Sequence, residues 1–243
     1  YAIFNSTADI NSAPPTLPLP TAEQKTQQAE LKKEIADFEK QRAERKKLLE
    51  PEFESWKQTL RLSLQNSDKQ WSILPSQNAK SVNGATITVQ EDHSLLVGGT
   101  IPNNDTYLVE TVNIPSGTTG LRLEVLTHES LPKLGPGWAG NGNFVLDEVS
   151  VEVSRQTKEN WSKFEPVGLA FATADHSQEK FPASHLIDGD LKTGWAINVK
   201  QGKMNVNRRA IIKLKAPLES AEPMKLRVTL TQTRDSKYNV GRF

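Results

Sequence analysis

"LPKLGPGWAGNGNFVLDEVSVEV", residues 131–153, changes character halfway along. From Glu148 onward the residues alternate. Val149, Val151 and Val153 fall on one face and Glu148, Ser150 and Glu152 on the other, the period of a strand buried on a single side. The half before it carries Gly135, Gly137, Gly140 and Gly142 with Pro136, Trp138, Asn141 and Asn143. Glycines permit positive φ and close backbone approach, and asparagines bring both donors and acceptors. This mixture reads in two ways. Trp138 is a flat apolar platform for a sugar ring, with Asn141 and Asn143 bonding its hydroxyls; or Trp138 covers the end of a β-sandwich and the amides satisfy their own turn.

The same period of two extends on both sides of this stretch. "ATITVQ", "HSLLVGG", "TYLVETVNI" and "GLRLEVLT" precede it, separated by the turn signals "VNG", "PNND" and "PSGTTG"; "VGLAFATA", "GWAINV", "RAIIKLK" and "MKLRVTLTQT" follow. Around ten closely spaced strands without intervening helices predict a mainly β protein, an antiparallel sandwich or jelly roll over residues 67–243. "GLRLEVLTHESLP" leading to "GNFVLDEVSV" is echoed by "MKLRVTLTQTRDS" leading to "YNVGRF". Two similar halves are therefore expected, 67–158 and 159–243. One module is preferred to two, because about 80 residues is small for a disulfide-free β domain.

Upstream the pattern differs. Residues 1–20, with Pro14, Pro15, Pro18 and Pro20, read as an extended connector. Residues 21–66 read as a helical arm: Thr21 and Gln24 form a capping box, and no Gly or Pro occurs from Ala22 to Glu50. Leu31, Ile35 and Phe38 define an apolar stripe that resumes at Leu48, Leu49, Phe53, Trp56 and Leu60. Pro51 predicts a bend near Glu50, hence a helical hairpin or a coiled-coil arm. "RAERKK" contains Glu44 and follows three acidic residues, so it is read as a solvated face and not a nucleic-acid contact.

Composition excludes more than it assigns. The 243 residues carry 30 Lys and Arg against 29 Asp and Glu, which gives no general pull toward nucleic acid or anionic lipid. The absence of Cys removes disulfides, thiolate metal sites, Cys nucleophiles and haem attachment. No stretch is long and apolar enough to span a membrane. The chain starts at Tyr1 and stops at Phe243 within a strand-like run, as a segment of something longer would. Its four histidines, His93, His128, His176 and His185, fall in no metal-protease spacing. His128, Glu129 and Ser130 lie at a strand end beside a turn, and Glu148 and Glu152 lie on a strand's outer face, so no acid/base set is predicted and the expectation is a non-enzyme.

"ASHLIDGDLKTGWAI", residues 183–197, carries more chemistry. Asp188, Gly189, Asp190 and Thr193 gather oxygens in one tight loop, with Trp195 expected to pack inward beneath it. The loop is either a structural Ca²⁺ site, with Asp188, Asp190 and Thr193 as ligands, or a metal-free Asx turn.

"LIDGDLKTGW" resembles the signature of galactose-binding-like β-sandwiches of the discoidin and carbohydrate-binding-module type. "YAIFNSTADINSAPP", "GLRLEVL", "LPKLGPGWAGNGNFVLDEVSV", "FPASHLIDGDLKTGWAI" and "NVGRF" resemble, in this order, the central region of planctomycete cytochrome c domain-containing proteins, between their two planctomycete-specific domains of unknown function. The resemblance implies an exported protein, periplasmic or at the cell surface, fused elsewhere to a c-type haem domain. No haem attaches to these residues. The expectation is a noncatalytic carbohydrate-binding module with a helical spacer. The alternative is a structural module that orients the flanking domains of the same polypeptide.

Overall fold

A computed structural model describes residues 19–65 and 71–243 of the chain, with side chains through residue 61 and again from 71. The described residues fall into two units, one ending at Ser72 and the other spanning Ile73–Phe243.

The first unit contains one helix, α1 (Ala22–Gln65). Its start is capped reciprocally: the Thr21 N–H donates to Gln24 Oε1 at 2.9 Å, and the Gln24 N–H donates to Thr21 Oγ1 at 3.2 Å. Two orphan N–H groups of the first turn are thereby satisfied. The expected hairpin is corrected: α1 runs as a single helix through Pro51. A proline removes one ladder hydrogen bond and crowds the carbonyl four residues back, at a cost of about 3 kcal/mol. Here it sits among good helix formers. At 100° per residue, Pro51 and Lys47 both lie on the face opposite the apolar stripe, so the perturbation is confined to the polar side.

The second unit is mainly β. Its strands are β1 (Ser76–Ser81), β2 (Thr86–Val89), β3 (Leu95–Gly98), β4 (Asp105–Val112), β5 (Thr118–Val125), β6 (Val145–Leu146), β7 (Glu148–Arg155), β8 (Glu165–Pro166), β9 (Leu169–Ala174), β10 (Trp195–Ala196), β11 (Arg208–Leu218) and β12 (Met224–Gln232). A five-stranded sheet runs β1-β4-β12-β7-β8 and a three-stranded sheet runs β5-β11-β9; β2 pairs with β3, and β6 with β10. Every pairing is antiparallel. β12 lies between β4 and β7, and β11 between β5 and β9, so both larger sheets interleave early and late chain.

Alternation explains the core. Val149, Val151 and Val153 of β7, Leu226 and Leu230 of β12, and Ala210, Ile212 and Leu214 of β11 all point into one buried cluster with Phe144, Leu186, Trp195 and Ile197. Both larger sheets thus contribute to a common interior, the arrangement that hides one apolar face from each. Trp195 is fully buried, stacks edge-on against Phe144 with centroids 5.0 Å apart, and donates its indole N–H to the His176 carbonyl at 2.9 Å. Tyr107 is buried and donates to the Val240 carbonyl at 3.0 Å; burial pushes its phenol far above the ordinary range.

The last residues form a strap and not the strand that "YNVGRF" predicts. Isolated bridges join Gly137 to Val240 and Leu96 to Arg242. The Trp138 N–H donates to the Asn239 carbonyl at 2.9 Å, the Gly241 N–H to the Pro136 carbonyl at 2.8 Å, and Leu95 exchanges both backbone bonds with Phe243. Arg242 anchors the strap through Asp92 Oδ2 at 2.7 Å and Ser94 Oγ at 2.9 Å. The Phe243 ring lies parallel to that of Tyr107 at 5.7 Å.

Candidate functional site

The glycine-rich loop is folded around that strap. The Gly137 N–H donates to the Gly142 carbonyl at 3.0 Å, while a Cβ on Gly137 would stand 2.1 Å from the Asn143 carbonyl oxygen. Gly142 has φ of +88°, a conformation that favours glycine. Close approach to the loop's own far side therefore accounts for Gly137, and the positive φ, with the Asn205 amide 2.5 Å from where a Cβ would stand, accounts for Gly142. Trp138 is half-buried against the core, and its buried indole N–H meets no acceptor among the described residues. Packing alone holds the ring.

Beside this loop lies a groove of about 330 Å³, within the range of small-ligand sites. Asn141 and Asn143 form one wall, Gln178 and Phe181 come from the turn after β9, Asn198 from the segment after β10, and Arg234, Asp235 and Tyr238 from the segment after β12. Trp138 is not among its lining residues. Asn143, only 3% exposed, is bound on both sides of its side chain: Oδ1 accepts from the Ile197 N–H at 3.1 Å and Nδ2 donates to Gln178 Oε1 at 3.2 Å. The same Gln178 oxygen accepts from the Asn198 N–H at 3.3 Å. Asn143 thus fixes three walls together, while Asn141 is exposed at the rim.

Arg234 connects the groove to the Asp188 loop. Its Nε donates to Asp147 Oδ1 at 3.0 Å, and its terminal nitrogen reaches the Lys192 and Thr193 carbonyls. Asp147 is fully buried and also accepts from the Thr233 hydroxyl at 2.8 Å, so its charge is compensated. In the loop itself Asp188 accepts from the Asp190 N–H at 2.9 Å and from the Thr193 hydroxyl at 2.8 Å, and Asp190 accepts from the Lys192 N–H at 2.9 Å. Gly189 adopts φ of +76° and donates its N–H to Glu148 Oε2 at 3.1 Å. Burial pushes the Glu148 carboxyl up, the charge of Asp188 adds to the rise, and the Gly189 N–H opposes it.

Other candidate letters resolve into local structure. His128 Nδ1 lies 2.7 Å from Ser130 Oγ and accepts the Ser130 N–H at 3.2 Å, closing a turn. Glu152 lies 3.6 Å from Arg227, which stacks over Phe164 at 3.8 Å. Of the groove's lining residues, Asp235 alone is a carboxylate, and none is a histidine.

Sequence reading reached Asn141 and Asn143 but missed Gln178, Phe181, Asn198, Arg234 and Tyr238. These lie in connecting segments, and they reach the glycine loop only through tertiary pairing: β6 with β10 brings Asn198 alongside, the Asn143 amide holds Gln178, and the Val145 N–H donates to the Tyr238 carbonyl at 2.8 Å. No family model matches the chain, and no curated protein or solved structure matches it.

Proposed function

We propose that the β unit is a noncatalytic carbohydrate-binding module with a galactose-binding-like jelly-roll sandwich, part of a larger exported polypeptide. The groove carries this reading: exposed and tethered amides stand beside Phe181 and Tyr238, the combination that pairs hydroxyls while covering a sugar's C–H face. The ligand subsite is centred on Asn141, Asn198 and Tyr238, and Trp138, which does not line the groove, stands outside it. Affinity electrophoresis of the 243-residue chain through a panel of soluble polysaccharides tests it. At least one glycan should retard the protein, Tyr238→Ala and Asn198→Ala should each weaken retardation about tenfold, and their melting midpoints should stay near wild type. Retardation by no glycan, or retardation untouched by both substitutions, overturns the reading.

A structural Ca²⁺ on Asp188, Asp190 and Thr193 belongs to the same proposal. All three side chains already hold bonds within the loop, so the ion must replace donors that the protein supplies. A ligand that binds only the folded state raises the melting midpoint. Equal midpoints in millimolar Ca²⁺ and in chelator remove the ion from the proposal and leave the Asx turn. The alternative reading, an interaction module that orients flanking domains, is favoured by a different observation, the exposed apolar residues along α1.

A further inference from the structure

Helix α1 carries Leu31, Ile35 and Phe38, then Leu49, Phe53, Trp56 and Leu60, in two runs of four- and three-residue steps that fall on one line of the helix, and all are exposed, from 38% at Leu60 to 66% at Phe38. An amphipathic face of this length gains from burial against a partner, because in proteins most helical stability comes from packing an apolar face and not from propensity. The stripe has an internal symmetry. Its steps are four then three residues inward from Leu31, and four then three inward from Leu60. Turning one copy of the helix end for end therefore places Leu31 against Leu60, Ile35 against Trp56, and Phe38 against Phe53.

We infer that α1 is a self-association surface whose partner is a second copy of this chain, the two helices packing antiparallel about a two-fold axis near residues 45 and 46. The two-fold makes the contact isologous, with each chain contributing the same patch. The polar middle of the stripe sets the direction. Arg42 and Arg45 stand on the apolar line itself; parallel packing would stack both against their own copies, whereas the antiparallel arrangement sets Arg42 against Leu49 and leaves a single basic layer at the axis. The two arginine stems cover neighbouring apolar surface while their guanidinium groups reach water. The exposed stripe amounts to roughly 800 Å² per chain, the standard size of a stable pairwise interface. Phe53 and Trp56 are already preorganised on it, stacked at 5.8 Å, with Lys57 Nζ 4.9 Å from the Phe53 ring.

The lack of cysteine makes a direct test possible. Ile35→Cys and Trp56→Cys are prepared separately in the full chain, and each is oxidised alone and then mixed with the other. Antiparallel pairing brings position 35 of one copy to position 56 of the other, whereas like positions stay roughly 30 Å apart at 1.5 Å per residue. The expected result is a disulfide-linked dimer from the mixture and from neither variant alone. Sedimentation equilibrium of the unmodified chain should give a dimer at about 100 μM, and Phe38→Glu with Phe53→Glu should raise the dissociation constant about a hundredfold. The inference is overturned by a monomer at that concentration, by cross-linking of either variant with itself, or by a dimer indifferent to the double substitution.

Discussion

Gly137 and Gly140 stand three residues apart in one loop and have opposite surroundings. A Cβ at Gly137 would collide with the Asn143 carbonyl at 2.1 Å, a backbone atom that cannot give way, whereas nothing lies within 4 Å of one at Gly140. Gly137→Ala is therefore expected to destabilise the protein by about 3 kcal/mol, and Gly140→Ala to stay within about 0.5 kcal/mol, both read by urea unfolding. Equal effects at the two positions would contradict the close approach of the loop to itself. At this scale the sequence was half legible. Four glycines around one tryptophan mark a backbone with special demands, but the residue string does not say whether the demand comes from a ligand or from the chain. Asn143 shows the difficulty: as a letter it is a hydrogen-bonding amide, and in place it spends its oxygen on Ile197 and its nitrogen on Gln178.

Among elements, the long strands were the most legible and the terminal strap the least. β7, β11 and β12 declare themselves through alternation, because each has one buried face. "NVGRF" has strand-like composition but contacts β3, the glycine loop and Tyr107 in turn, so no single ladder extends along it. Its anchorage is electrostatic in part. The Ser94 hydroxyl and N–H, followed by the Arg242 guanidinium, hold the Asp92 carboxyl below its ordinary 3.8. A carboxylate whose folded pKa is depressed stabilises the native state above the unfolded value, and that contribution disappears as pH falls through the folded one. Asp92→Asn should thus lower the melting midpoint at pH 6, with the gap from wild type closing below about pH 3.8. A gap that persists unchanged to pH 2 would show that the strap gains nothing from this charge. Glu148 carries the opposite sign. Its carboxyl is raised above 4.5, so its ionisation weakens the fold as pH rises past that value, and Glu148→Gln, which keeps an oxygen for the Gly189 N–H, should raise the midpoint at pH 7 and not at pH 4.

The whole β unit is organised by the interleaving of its sheets. β12 exchanges backbone bonds with β4 along one edge and with β7 along the other, from Met224 to Gln232, and β11 does the same between β5 and β9. Removing everything after residue 158 would leave β4 and β7 with no strand between them and expose Val149, Val151 and Val153, which now share one buried cluster with Leu226 and Leu230 of the adjacent β12 and with Ile212 of β11 in the other large sheet. The internal echo of the sequence, however clear in its letters, does not mark a place where the chain can be divided. Residues 73–158 and 159–243 expressed separately should each lack protease resistance and a cooperative melt, while 73–243 should show both, since a core assembled from both halves is the only large apolar burial either can reach. Because the strands that complete each sheet are distant in sequence, mixing the two fragments should restore the melt only slowly, with the rate limited by long-range pairing. A protease-resistant fragment 73–158 standing alone would overturn this and return the echo to its simpler meaning, two domains joined end to end.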